Sequence, residues 1–93
     1  MNKSDLIEIL SKRSGITLKK AQDVVDNVFD SMTETLEKGE RIEIRGFGSF
    51  AVKDYKSYQG RNPKTKESIH VPPKRLPFFK VGKELKKRVD YRQ

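Results

Sequence analysis

Two hydrophobic periods divide the chain. Leu6, Ile7, Ile9 and Leu10, and then Ala21, Val24, Val25, Val28, Phe29, Met32 and Leu36, recur at the three- and four-residue steps of a helix with one apolar face. The first helix is predicted to start at Asn2 as its cap, with Asp5 favouring the first turn, and to run toward Arg13 until Gly15 ends it. Thr17 caps the second and Gly39 closes it. Its opposite face carries Asp23, Asp26, Asp30, Glu34 and Glu37, which is the pattern of a solvated side. Two such helices form a hairpin whose apolar face needs a cover.

After Gly39 the period becomes two. Ile42 and Ile44 alternate with Glu43 and Arg45, "GFGSF" at 46–50 predicts a tight turn that uses both of its glycines, and Phe50 and Val52 continue into a second strand. Leu76, Phe78, Phe79 and Val81 mark a later strand. If the intervening chain reverses through a two-residue turn at Thr65 and Lys66, Phe50 opposes Val81, Val52 opposes Phe79, and all four share the face that lies on the helices. Gly82 ends this strand, and "KELKKRV" forms a short last helix with Leu85 and Val89 on one side. The expected fold is α+β: a helical hairpin base, a three-stranded antiparallel sheet with a long protruding β-arm, and a short C-terminal helix. One domain spans residues 1–93, with 1–39 as the helical base, 40–82 as the sheet, the arm at about 53–74, and 83–93 as the terminal helix.

From Lys53 to Lys74 the only aliphatic residues are Ile69 and Val71, so this part of the ribbon has little to bury and is expected to project from the body. A structureless loop of about 20 residues is uncommon in so small a domain, which makes a binding arm the better reading.

Composition sharpens this picture. Hydrophobic residues make up 33% of the 93 residues and charged residues 37%, so a single chain has little apolar surface to bury, and a core shared between two chains is the expected remedy. There is no cysteine, which removes disulfides, thiolate metal sites and cysteine nucleophiles together. No apolar run approaches the roughly 20 residues of a membrane helix, and the N-terminus lacks a signal-peptide core, so a soluble intracellular protein is expected.

The net charge of +8 is segregated: residues 1–52 hold 8 Lys/Arg against 9 Asp/Glu, whereas residues 53–93 hold 13 against 4. Solubility does not require one half to carry the whole excess, so the basic half is where a polyanion should bind. Within it, "GRNPKT" at 60–65 places Arg61 and Lys64 around Asn62 and Pro63 at the predicted tip, with Lys66 following and Lys53, Lys56, Lys74 and Arg75 lining the ribbon toward its base. Proline is tolerated there because a free ribbon edge needs no ladder hydrogen bond. An exposed rigid ring between cations suits a nucleic-acid groove, where it can wedge between base pairs.

Other chemistry finds little support. His70 is the only histidine, with no cysteine or nearby acidic pair, and is expected to be a polar or groove-facing arm residue rather than a metal ligand or catalyst. The acidic row on the second helix serves solvent and salt bridges rather than acid–base catalysis. "GFG" lacks the longer phosphate-loop pattern. Tyr55, Tyr58 and Tyr91 could stack on bases, but no RNA-binding aromatic motif surrounds them. Neither cofactor, nor metal, nor small-molecule substrate is expected. A basic RNA-binding or ribosomal protein and an enzyme acting on nucleic acid are the competing classes; the second lacks a carboxylate cluster or metal-ligand set in the basic half.

"GERIEIRGFGSF" at 39–50, "GRNPKT" at 60–65 and "PFFKVGKELKKRV" at 77–89 resemble, in this order and across essentially the whole chain, the histone-like HU and integration host factor family of bacterial DNA-bending proteins. The resemblance implies a non-enzymatic, intertwined dimer, with Phe47, Phe50 and Phe79 in the dimer core and two arms reaching around double-stranded DNA in the bacterial nucleoid. It makes Pro63 the intercalating residue, sets Arg61 and Asn62 in the minor groove and gives Lys64 a phosphate. It brings Gly46, Gly48 and Ser49 against the sugar-phosphate backbone, and makes Lys83, Lys86 and Lys87, with Lys80 and Lys3, a clamp on flanking DNA. Family members usually carry glycine where this chain has Lys66, a position expected to need positive φ; lysine there costs about 1 kcal/mol or selects another turn. The resemblance leaves two forms open, a general HU-like binder or a sequence-preferring integration-host-factor type, the latter raising a heterodimer with a related subunit.

Overall fold

A computed structural model of the 93-residue chain describes residues 1–91. Two helices, α1 (Lys3–Ser14) and α2 (Leu18–Glu37), are followed by five strands, β1 (Ile42–Ile44), β2 (Gly48–Tyr55), β3 (Tyr58–Arg61), β4 (Ser68–Val71) and β5 (Lys74–Val81), and by the short helix α3 (Lys83–Val89). Arg92 and Gln93, the end of the predicted terminal segment, lie outside the described residues.

The helix ends follow the cap chemistry of the sequence. Asn2 Oδ1 accepts the Asp5 N–H at 2.9 Å while Asp5 Oδ2 accepts the Asn2 N–H at 3.0 Å, so two orphan donors of the first turn are satisfied reciprocally. Gly15 terminates α1 at φ 66°, and Thr17 Oγ1 accepts the Lys20 N–H at 3.1 Å to open α2. The face of α2 turned to the rest of the chain buries Ala21 and Val25, and these are the only buried apolar residues among those described. Val24, Val28 and Phe29 on the same helix remain 44–50% exposed, as an apolar surface does when nothing covers it.

The body sheet has the order β1-β2-β5, all antiparallel. Only Gly46 lies in the β1–β2 turn, at φ 84°; Gly48, expected to share that turn, is instead the first residue of β2 and pairs with both Ile44 and Val81. A Cβ on Gly48 would stand 2.6 Å from the Lys80 carbonyl oxygen and 2.7 Å from the Phe79 ring. Glycine is thus required here by the packing of the protein itself. Gly48→Ala is expected to lower unfolding free energy by about 1–3 kcal/mol through this overpacking, seen as a lower denaturant midpoint at unchanged slope; a loss below about 0.5 kcal/mol would mean that the ring and strand move aside freely.

The β2–β5 register differs from the expected one by two residues: Phe50 opposes Phe79, and Val52 opposes Pro77. The cause is the tip, which closes through four residues, 63–66, instead of two. Asn62 holds both ends of that loop. Its carbonyl accepts the Lys66 N–H at 2.7 Å, its N–H donates to the Glu67 carbonyl at 2.9 Å, and its Oδ1 accepts the Lys64 N–H at 2.9 Å. Lys66 takes φ 61°, the positive value expected at this turn position. Because the shift is two and not one, Phe50, Val52, Phe79 and Val81 still share a face.

Beyond the body the ladder is interrupted. The two-stranded sheet β3-β4 keeps the same offset as β2-β5, but Lys56 and Ser57 lie opposite Pro73 and Pro72, which have no N–H to donate, and no strand pairing is made there. The chain therefore consists of a body and a projecting ribbon. Its extents are 60 × 40 × 27 Å, and its radius of gyration is 19.4 Å, where a compact chain of this length would have about 12 Å.

Candidate nucleic-acid interface

Apart from Lys3, the predicted contact residues fall into three groups, at the tip of the arm, at its base and on the body. At the tip, Arg61, Pro63, Lys64 and Lys66 are exposed, whereas Asn62 is half-buried and spends its side-chain oxygen on the turn. Its amide nitrogen remains for an outside acceptor. The positive φ of Lys66 and the Asn62 bonds fix the four-residue loop 63–66 at the end of the ribbon, and Pro63 is its first residue.

At the arm's base the cations are already engaged. Lys53 Nζ lies 3.7 Å from the centre of the Phe78 ring, Lys74 Nζ lies 5.9 Å from that of Tyr55, and Arg75 Nε pairs with Asp54 at 3.2 Å across the strands. These contacts hold the long side chains along the ribbon, and being exposed they give little stability of their own. Lys56 stands at the ladder break. Tyr55 and Tyr58 line an open groove there of about 350 Å³ with Val71, Pro72 and Leu76.

The third group lies on the body, where the β1–β2 turn and α3 form one unit. The Gly82 N–H donates to the Phe47 carbonyl at 2.8 Å and the Leu85 N–H to the Gly46 carbonyl at 3.1 Å, so the turn supplies acceptors to the first turn of a helix that has no side-chain cap. The exposed Lys83, Lys86 and Lys87 of α3, and Lys80 at the end of β5, are thereby held beside Gly46, Gly48 and Ser49. Glu84 tucks its carboxylate against Gly46, where any Cβ would collide with it. Arg45 was not among the residues singled out from the sequence. It lines the same surface depression as Gly46, Gly48 and Ser49, and its place directly before the turn glycine was the available signal.

Lys3 has a different situation. Its ammonium lies 2.5 Å from Asp26 Oδ1, and the hydrogen bond to Asp26, then the charge of that carboxylate, raise its pKa above the ordinary lysine value. Contact with a phosphate would require it to exchange one anion for another. The phenylalanines expected in a shared core are clustered: Phe47 and Phe79 ring centres are 5.6 Å apart, Phe50 and Phe79 4.8 Å. Yet Phe47 is 44% and Phe79 39% exposed. Among the described residues no group of three or more His, Asp or Glu is placed to hold a metal ion, and no helix is long and apolar enough to cross a membrane.

Residues 1–90 match the family described as Bacterial DNA-binding protein. The chain is 50% identical over 91 residues to integration host factor subunit beta of Dichelobacter nodosus, covering 97% of this chain and 95% of that protein. It is 45% identical over 86 residues to DNA-binding protein HU of Geobacillus stearothermophilus, covering 92% and 96%. In three dimensions it is similar to the HU of Anabaena in a co-crystal structure with DNA, with TM-score 0.84 and 33% identity over 97% of this chain and 98% of that one.

Proposed function

Because the chain belongs to the bacterial DNA-binding protein family and is a non-enzymatic, architectural DNA-binding protein of the HU and integration host factor type, we propose that it acts as a dimer that grips the minor groove with two arms and kinks duplex DNA by inserting Pro63. The observation that carries this reading is the exposed proline, among cations, in the tip loop of a ribbon that projects from the body. Arg61 and the free amide of Asn62 reach groove acceptors, and Lys64 and Lys66 take phosphates beside them. Lys53, Lys56, Lys74 and Arg75 neutralise the backbone along the arm. On the body, Lys80, Lys83, Lys86 and Lys87, with Arg45 and, after release from Asp26, Lys3, hold flanking DNA near Gly46, Gly48 and Ser49.

Dimerisation is supported by the uncovered apolar face of α2 and the half-exposed Phe47, Phe50 and Phe79 cluster, which a second copy or a related subunit would bury. Residues 1–93 would then serve as one unit, with 1–39 and the body sheet as the dimer base, and the site of action would be the nucleoid in the bacterial cytoplasm. Similarity to an integration host factor beta subunit supports a second form of the same reading, a sequence-preferring protomer that pairs with a related chain.

Ring closure of duplexes of about 100 base pairs tests the function, since these are shorter than the DNA persistence length of about 150 base pairs and close poorly alone. The protein, sedimenting as a dimer, is expected to raise ligation into circles. Binding without any gain in circles would overturn the bending role, and preference for structured RNA in competition would favour the RNA-binding class.

A further inference from the structure

The two faces of the arm differ in chemistry. The register pairs Tyr58 with Val71 and Gly60 with Ile69 on one face, and Gln59 with His70 and Arg61 with Ser68 on the other. The first face is apolar. The second carries only hydrogen-bonding groups and one cation, and on it Gln59 Nε2 lies 3.3 Å from His70 Nδ1.

We propose that the Gln59–His70 pair is a base-edge reader that recognises the guanine amino group in the minor groove, giving the arm a preference for a G·C pair near the kink. This rests on the groove-binding reading of the arm given above. The cation on that face, Arg61, selects it as the one turned to the groove floor, where the potential is most negative.

The shared hydrogen bond leaves a pair with both kinds of group to offer. If the amide donates to Nδ1, the ring proton sits on Nε2 and Gln59 Oε1 is a free acceptor. If the amide is turned over, Nδ1–H donates to Oε1, the amide N–H groups are free and Nε2 becomes the free acceptor. Either arrangement sets an acceptor beside a donor. In the minor groove an A·T pair shows acceptors only, whereas G·C adds the guanine N2 donor. Arginine and lysine, which have donors alone, cannot bond that amine. The Gln59–His70 pair can, its acceptor taking the amine and its donor reaching the neighbouring acceptor on the same floor. A ladder role explains the pair less well, because an exposed polar cross-strand pair adds little to a sheet. Gln59 precedes Pro63 by four residues, about 13 Å of strand, so the guanine recognised lies within roughly four base pairs of the kinked step at about 3.4 Å each.

The test uses 30-base-pair duplexes in which a nick fixes the kink, with a single G·C pair walked through the six positions on each side in an A·T background. Each duplex has a twin in which inosine replaces guanine, removing the N2 amine and keeping the pair. At one position the native protein is expected to bind guanine about fivefold or more tighter than inosine, by fluorescence anisotropy. In Gln59→Leu/His70→Phe the ratio is expected to fall to about one while affinity for the inosine duplex stays within about twofold. A native ratio of one at every position, or a ratio retained in the variant, overturns the proposal; the native comparison needs no mutant and does not depend on a variant folding. Displacement by the minor-groove ligand netropsin separates the two levels. Displacement with no inosine effect sinks the reader and leaves the groove-binding arm, whereas failure to displace sinks both.

Discussion

Replacing Lys83 and Lys86 together by alanine is expected to weaken duplex binding by roughly a hundredfold or more at 0.15 M salt and to flatten its salt dependence. The salt slope of binding falls by about 0.9 for each phosphate contact removed, so four lysines in a dimer should take about 3.6 from it. Both side chains are exposed on α3, and the helix is fixed by bonds from its backbone to the Gly46 and Phe47 carbonyls, which the substitutions leave alone. Folding stability should therefore stay within about 0.5 kcal/mol of the native value. Titrations from 50 to 300 mM salt would show the change; an unaltered slope would remove α3 from the contact surface, whatever happened to affinity at a single salt concentration.

The second large effect is on DNA shape. Pro63→Ala should abolish most of the protein-induced shortening between dyes at the ends of a duplex, while changing the dissociation constant by less than about fivefold. The separation follows from how the tip is built. Asn62 organises the loop through its carbonyl, N–H and Oδ1, and none of these bonds involves residue 63. Alanine can therefore occupy the same loop, leaving Arg61, Lys64 and Lys66 in place to hold the groove, but it has no rigid ring to keep a base step apart. Equal losses of bending and affinity in the Pro63 and the lysine variants would contradict this division of labour.

Much of this was legible beforehand where local chemistry decides the outcome. Asn2, Gly15 and Thr17 mark helix ends because a cap or a left-handed residue depends on its immediate neighbours. The strands and the projecting ribbon were legible from the local pattern of apolar residues, whereas the positive φ at Lys66 was expected only from the family resemblance, since lysine itself does not signal it. The register was not, because it depends on how many residues the tip consumes, and Asn62 and Pro63 support a four-residue loop as readily as the turn inferred from Thr65 and Lys66. The place of Gly48 was missed on the same ground: a glycine beside a turn looks like part of it until the partner strand is known, and here Phe79 supplies the reason for a missing side chain. Within the candidate site, charge and the exposed proline were visible in sequence. The commitments of individual cations, Lys3 to Asp26, Arg75 to Asp54 and Lys53 to Phe78, depend on pairings across the fold and had no linear signal.

The unpaired stretch between Lys56–Ser57 and Pro72–Pro73 gives the ribbon a knuckle. Rotation there disturbs no interstrand bond, so the finger beyond it can change its angle to the body as a stiff piece, without melting either sheet. In the dimer proposed above, one pair of jaws would then close on helices of different curvature at nearly constant strain.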